Sequence, residues 1–264
     1  MTEIDQAQDA YTAQGFAVLR QWLAPHATAS LAQEVDRIHA QWLEENRRQV
    51  EEERLVNMHS LTSPHYFRSQ EERIRFFELI ASDRITSLID GMFGDGIYFH
   101  NTQLFFNPWQ NRRLPYWHRD LQYSPVDDAA QASEQARMLS LHVRIPLLPE
   151  QGMEVIPNTH RRWDTPEESD VRWERNGRMN SEDLPGACLI ALEPGDVMVF
   201  DAQMIHRGNY ALNPERKALD LCVGRPHPFT LRYLDVAVLP TEDELSRIRN
   251  KAWYERARQL AASR

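Results

Sequence analysis

The chain is short of cysteine, of lysine and of long apolar runs, and each shortage excludes something. Its two cysteines, Cys188 and Cys222, are too few for a disulfide framework, and their surroundings (GACLIAL, LDLCVG) read as buried strand. The expected setting is therefore reducing and cytoplasmic. No apolar run approaches the roughly 18 residues that a membrane span needs. The opening residues, MTEIDQAQDA, are too acidic and polar for a secretory leader, so no membrane partner is expected. The formal net charge of −9 argues against a general nucleic-acid binder. Lys217 and Lys251 are the only lysines among 30 basic residues. Codon usage accounts for such a bias, and so does a need to grip carboxylate or phosphate with a planar fork. There is no internal repeat, low-complexity tract or Gly/Ser-rich linker, and 264 residues can bury one sizeable core, so a single domain is expected over 1–264.

What the chain does contain falls into three zones. Residues 1–95 predict helices. SLAQEVDRIHAQWLEENRRQV spaces Leu31, Val35, Ile38 and Trp42 at three and four. EERIRFFELIASDRITSLIDGMFG does the same with Ile74, Phe77, Ile80, Ile85, Leu88 and Ile89, and Gly91 and Gly94 suit its stop. Between Gly15 and the first of these, GFAVLRQWL reads as a short strand. This zone is expected to be a scaffold without chemistry. Residues 96–240 alternate short apolar runs with turn signals: IYFHNTQLFF, MLSLHVRIPLL, MEVIP, ACLIAL, DVMVF, ALDLCVG. Such spacing predicts a sandwich or barrel. Glu193-Pro194-Gly195-Asp196 places Pro and Gly where a type II turn wants them. Residues 241–264 predict a closing helix, with Thr241 and Glu244 as a capping box and acids ahead of arginines. The class is α+β with a mainly β core and helices packed on the sheet.

Four of the ten histidines (His26, His39, His59 and His65) lie in the helical zone without a partner pattern. The informative stretch is Tyr116-Trp117-His118-Arg119-Asp120. On extended backbone, residues two apart point to the same side about 6.6–6.8 Å from one another, so His118 and Asp120 can converge on one point. His206 follows 86 residues after Asp120, and barrel closure can bring it across. Two imidazoles and a carboxylate with open positions form the facial triad of non-haem iron(II). His-x-Asp alone is a weak signal, equally at home as a hydrogen-bonded pair at a strand end. Arg216, ten residues past His206, strengthens it. A hairpin there would aim a guanidinium into the same cavity, where it can fork onto a carboxylate.

The segments WHRDLQYSP, EQGMEVIPNTHRRW and LEPGDVMVFDAQMIHRGNY, the arginine in PERKAL and the opening YTAQGFAVLRQWL occur in an order that resembles the phytanoyl-CoA dioxygenase family of iron(II)/2-oxoglutarate oxygenases, over roughly residues 10–225. The resemblance implies a double-stranded β-helix (jelly-roll or cupin-like) with flanking N-terminal helices and a C-terminal helix. It implies iron(II) held by His118, Asp120 and His206, 2-oxoglutarate gripped at its distal carboxylate by Arg216, and dioxygen as oxidant. The products implied are succinate, carbon dioxide and an oxidised small molecule. Asp120 favours hydroxylation or a related oxidation over chlorination, because halogenating relatives lack the carboxylate.

Two positions depart from the family. Many members carry Ser or Thr where this chain has Gly208, and Thr102, Gln103 or Asn209 would have to compensate in holding the cosubstrate. The family's PGSH turn reads Pro157-Asn158-Thr159-His160, and Asn tolerates the left-handed backbone such a turn needs. Five residues are candidates for substrate contact. His142 and Arg144 share a face of an apolar strand, either as a buried ion pair or against substrate or cosubstrate. Trp117 and Arg119 flank the metal pair, and His160 closes the turn. Residues 161–185 are long for a connection and read either as a lid over the site, whose arginines would suit an anionic substrate, or as a merely solvated insertion. Two rivals stand: a silent barrel that binds metal and 2-oxoglutarate without turnover, and a zinc hydrolase on the same three ligands, for which Arg216 has no use. The ending AASR lacks a peroxisomal SKL address.

Overall fold

The alternating runs of the middle zone form two antiparallel sheets that share an interior. A computed structural model describes residues 1–110 and 113–263. The strands are β1 (Phe16–Leu19), β2 (Asn57–His59), β3 (Tyr98–Phe106), β4 (Ser140–Pro146), β5 (Glu150–Val155), β6 (Cys188–Leu192), β7 (Val197–Asp201), β8 (His206–Gly208) and β9 (Lys217–Gly224). The larger sheet runs β1-β7-β4-β9-β3-β2 and the smaller β6-β5-β8. This is the double-stranded β-helix the sequence led one to expect, with helices laid against the larger sheet. Phe16, Met198 and Phe200 from one sheet meet Met153, Val155 and Leu192 from the other in a shared apolar cluster.

Strand alternation decides what each face of the larger sheet carries. On β4, Leu141, Val143 and Ile145 join the main core with Val197 and Val199 of β7 and Leu219, Leu221 and Val223 of β9. The intervening residues, His142 and Arg144 on β4 and Asp220 and Cys222 on β9, point the other way and line a cavity. The register places Arg144 opposite Asp220, Asp220 opposite Gln103, and Gln103 opposite His59. One polar row thus crosses four strands.

The helices supply the other side of the main core. The helices among the described residues are α1 (Glu3–Gln14), α2 (Pro25–Glu51), α3 (Gln70–Ile80), α4 (Asp83–Phe93), α5 (Asp128–Glu134), α6 (Pro166–Arg172), α7 (Pro228–Leu231), α8 (Glu242–Arg247) and α9 (Ala252–Ala262), of which α5 and α6 lie apart from that core. Leu31, Val35, Ile38 and Trp42 of α2 are buried as their spacing required. The stretch read as one helix over 71–94 is two, because Ala81 leaves helical geometry (φ −114, ψ 42) and Ser82 is an extended N-cap for α4. Gly94 ends α4, whereas Gly91 stays inside it, where a Cβ would come within 2.9 Å of Ile4. The closing helix is also two: the Thr241/Glu244 capping box starts α8, and the chain turns extended at the buried Ile248 before α9. Arg264, part of that expectation, lies outside the described residues. Gly195 adopts φ +101 and Asp196 N–H donates to Glu193 O at 2.9 Å, as a type II turn demands. Among the described residues, no helix is long and apolar enough to cross a membrane.

Candidate metal centre

His118 and His206 are joined by the backbone. They form an isolated antiparallel bridge, each N–H donating to the other's carbonyl at 3.0 Å, which extends the smaller sheet beyond β8. Paired residues on antiparallel strands share a face, so the imidazole centroids lie 4.3 Å apart. Arg119 is extended (φ −111, ψ 145), and Asp120 N–H donates to Ala202 O at 3.1 Å, which returns the carboxylate to the same side. Asp120 Oδ1 lies 3.4 Å from His206 Nε2 and 3.8 Å from His118 Nε2. One donor atom from each residue falls within 4.8 Å of the others.

The donor set fits a divalent first-row metal ion. His118 Nδ1 faces Tyr116 O at 3.1 Å and His206 Nδ1 faces Met204 O at 3.0 Å. A carbonyl only accepts, so each Nδ1 carries the proton and each Nε2 turns its lone pair toward Asp120. Burial and the adjacent His206 imidazole push His118 down to about 3, which keeps it an unprotonated ligand. Burial alone would raise the Asp120 carboxyl. His142 more than offsets it and holds the group well below the usual carboxylate range.

Beside the triad lies a cavity of about 520 Å³ with Arg216 on its wall. Arg216 donates from Nε to Glu150 at 2.5 Å, and its Nη groups lie over Gly208, where a Cβ would meet them at 2.7 and 2.8 Å. The departure at 208 therefore has a physical reason: the guanidinium fills the space a side chain would need. Glu150 in turn takes two bonds from Arg144, at 2.9 Å each. Arg144 reaches Asp220 at 3.0 Å, and Asp220 Oδ2 lies 2.9 Å from His142 Nδ1. His142 Nε2 completes the series at 2.7 Å from Asp120 Oδ2. Burial opposes charge on His142, but Asp120 and Asp220 win and raise it to about 10. Burial likewise opposes charge on Glu150, but Arg144 and Arg216 bring it down to about 2.

His142 and Arg144 thus form a buried ionic network, as the ion-pair reading expected, and both also line the cavity. Gln103 lines the cavity as well. Five other candidates do not. Thr102 is fully buried, and its hydroxyl accepts from Leu61 N–H at 2.9 Å. Asn209 turns its amide to Glu154 at 3.2 Å. Trp117 is buried and donates from Nε1 to Glu182 O at 2.8 Å. Arg119 points away from His118 and Asp120 by strand alternation and pairs with Asp164 at 2.8 Å. His160 packs against Gly15 and Tyr11. Asn158 does adopt the left-handed backbone, φ +69.

The stretch 161–185 is not over the site. Val171 and Leu184 pack on Trp117 behind the metal-bearing segment, and none of the described lining residues comes from it. Its Arg162, Arg172 and Arg178 pair with Glu168, Asp164 and Glu182. The lid and its cationic face are therefore corrected to a buttress. Glu150 and Asp220 were missed as site residues. The signal was a lone acid inside the apolar run ALDLCVG, matching the lone His and Arg inside LSLHVRIPLL.

A β-helix with two histidines and an aspartate at one end and an arginine across the cavity defines the iron-dependent oxygenase class of barrel. The sequence profile described as phytanoyl-CoA dioxygenase (PhyH) matches residues 11–218, and the chain belongs to this family of iron(II)/2-oxoglutarate oxygenases. A curated relative, an ectoine dioxygenase of Sphingopyxis alaskensis, is 27% identical in an alignment 158 positions long that covers 53% of this chain and half the length of that protein. EctD from S. alaskensis, crystallised with 2-oxoglutarate and 5-hydroxyectoine, superposes with a TM-score of 0.58 at 18% identity, over 85% of this chain and 76% of its own. HygX from Streptomyces hygroscopicus, crystallised with iron, gives 0.58 at 11% identity, over 85% and 87%. At these identities the two structures speak for the fold.

Proposed function

We propose that this chain oxidises a C–H bond of a small molecule with iron(II), 2-oxoglutarate and dioxygen, releasing succinate and carbon dioxide. The observation that carries this reading is the convergence of His118, Asp120 and His206 on one point, with Arg216 on the wall of the same cavity. The metal and cosubstrate, when bound, supply the oxidising chemistry. The residues position them. His118 and His206, as neutral imidazoles, and the Asp120 carboxylate would hold the ion. Arg216 presents its Nη groups to the far carboxylate of the cosubstrate, because Glu150 occupies Nε alone. Gln103 offers a neutral amide nearby.

Beyond these groups the wall is uncharged, with apolar stretches (Val56, Phe105, Leu121, Met153, Phe200) between groups that can hydrogen-bond. It includes Asn57, His59, His100, Asn101, Ser140 and Thr230. Burial holds His100 down to about 4 and lowers His59 as well, so both stay neutral near pH 7. Asp220 and Arg144 are paired to each other. This lining supports an uncharged substrate with both polar and apolar parts rather than the anionic one expected, and Arg162, Arg172 and Arg178 of 161–185 are paired with acids away from the cavity. Anaerobic addition of iron(II) and 2-oxoglutarate should produce a visible charge-transfer absorption. Admission of air should then release succinate, faster with substrate. A protein that forms the chelate yet releases no succinate under any condition is a binding barrel and refutes the enzymatic reading.

A further inference from the structure

His142 holds one oxygen of Asp120, and the geometry points to a positioning role that nothing in the family motif assigns: we infer that this imidazole restricts Asp120 to a single oxygen toward the metal. The inference rests on the site reading above. Asp120 has two oxygens with different neighbours. Oδ1 faces His206 and His118 Nε2, at 3.4 and 3.8 Å, while Oδ2 lies 2.7 Å from His142 Nε2. The other ring nitrogen of His142 lies 2.9 Å from Asp220 Oδ2. Carboxylate oxygens accept, so both ring nitrogens donate and the ring cannot swing away without leaving two acceptors short. Stacking on Phe200, at 4.9 Å and 20°, fixes the ring plane.

The restriction matters because a six-coordinate ion held by two imidazoles and one oxygen keeps three positions. A bidentate carboxylate removes one of those a chelating cosubstrate and dioxygen require. His142 is also one link in a longer series. Arg216, Glu150, Arg144, Asp220, His142 and Asp120 alternate in sign from the cosubstrate arginine to the metal carboxylate. From Arg216 to His142 the side chains are at most 5% exposed. Low dielectric makes each such contact strong and each orphaned member expensive. The series therefore sets the two anchors relative to one another, and His142 is its contact with the metal end.

The test is anaerobic titration of the metal-free protein with cobalt(II), read by its visible d–d bands and by thermal unfolding. His142→Phe keeps a ring on Phe200 and loses both donors, whereas His142→Gln keeps one N–H for Asp120. Cobalt affinity should fall on the order of 10–100-fold in His142→Phe, the usual effect of losing a group that orients a ligand. The bands should change in intensity as the carboxylate gains a second contact, and His142→Gln should recover the wild-type spectrum in part. Binding within twofold of wild type with an unchanged spectrum in both variants overturns the role of His142. If His142→Phe does not fold, the His142→Gln spectrum decides: bands identical to wild type, with affinity also within twofold, overturn it. Wild-type protein that fails to bind cobalt(II) overturns the site reading itself, a distinct outcome.

Discussion

Gly208→Ala tests the site where it is tightest. A Cβ at 208 would lie 2.7 and 2.8 Å from the Nη atoms of Arg216 and 3.0 Å from Cζ, against an ordinary contact near 3.4 Å or more. The guanidinium must retreat by about half an ångström. It does not swivel freely, because Nε is tied to Glu150 and the group lies near the rings of Phe105 and Tyr210. A misplacement of about 1 Å in a positioning group can cost about 100-fold, so half of that predicts roughly a 10-fold weaker grip on 2-oxoglutarate. Overpacking should lower stability by about 1–3 kcal/mol. The assay is 2-oxoglutarate titration of the iron(II) protein by its charge-transfer band. A double-mutant cycle with Arg216→Ala isolates the cause: if Gly208 acts through the guanidinium, adding Gly208→Ala to Arg216→Ala should change 2-oxoglutarate affinity no further. Wild-type affinity in Gly208→Ala, or full additivity in the cycle, refutes the placement of Arg216 as cosubstrate anchor.

Arg216→Ala alone should weaken 2-oxoglutarate by about 2–5 kcal/mol, at least about 30-fold, while the fold survives because Arg144 still satisfies Glu150. Unchanged affinity would remove the assignment. Arg119→Met should unfold roughly 10 °C lower, since a buried guanidinium paired with Asp164 is lost, and the protein that remains folded should bind 2-oxoglutarate as wild type does. A selective loss of cosubstrate affinity would restore Arg119 to the cavity. His39 is pushed down to about 4 by burial, stacks with Trp42, packs against Phe106, and leaves Nε2 without a partner. Its folded pKa lies below the unfolded value of 6.5, so its contribution is present above pH 6.5 and is lost as pH falls toward 4. His39→Leu should flatten stability against pH in that window by up to about 1.4 kcal/mol per unit. Denaturant midpoints between pH 4.5 and 7 that keep the wild-type slope would exclude it.

Much of the fold was legible because a strand with one face in an apolar core keeps apolar residues at every second position, as in LSLHVRIPLL and ALDLCVG. What escaped was short or context-made. β2 and β8 have three residues each, too few for a period to show. The break between α3 and α4 falls at Ala81-Ser82, inside an unbroken apolar spacing, where a cap overrides periodicity. The triad was legible from residue types and order. The buttress was not, because Trp163, Arg172 and Trp117 read alike whether they cover a site or support it from behind. Only strand alternation separates the two, and it places Arg119 opposite His118 and Asp120.

The polar interior follows from what the cavity has to hold. An apolar inner face would leave a divalent ion and a dicarboxylate in low dielectric with nothing to organise around. Here the row from Arg216 to Asp120 alternates in sign and is balanced before anything binds. On the proposed reading, a divalent cation and a dianionic cosubstrate would bring charges that also cancel, one to each end of the row. Loading the site then leaves the buried charge unchanged, provided both partners are present. The metal alone would leave an excess of two positive charges beside His142, and the dianion alone an excess of two negative charges. Mutual strengthening of metal and 2-oxoglutarate binding is the thermodynamic consequence. It should weaken in Asp220→Asn, which removes one negative link from the middle of the row.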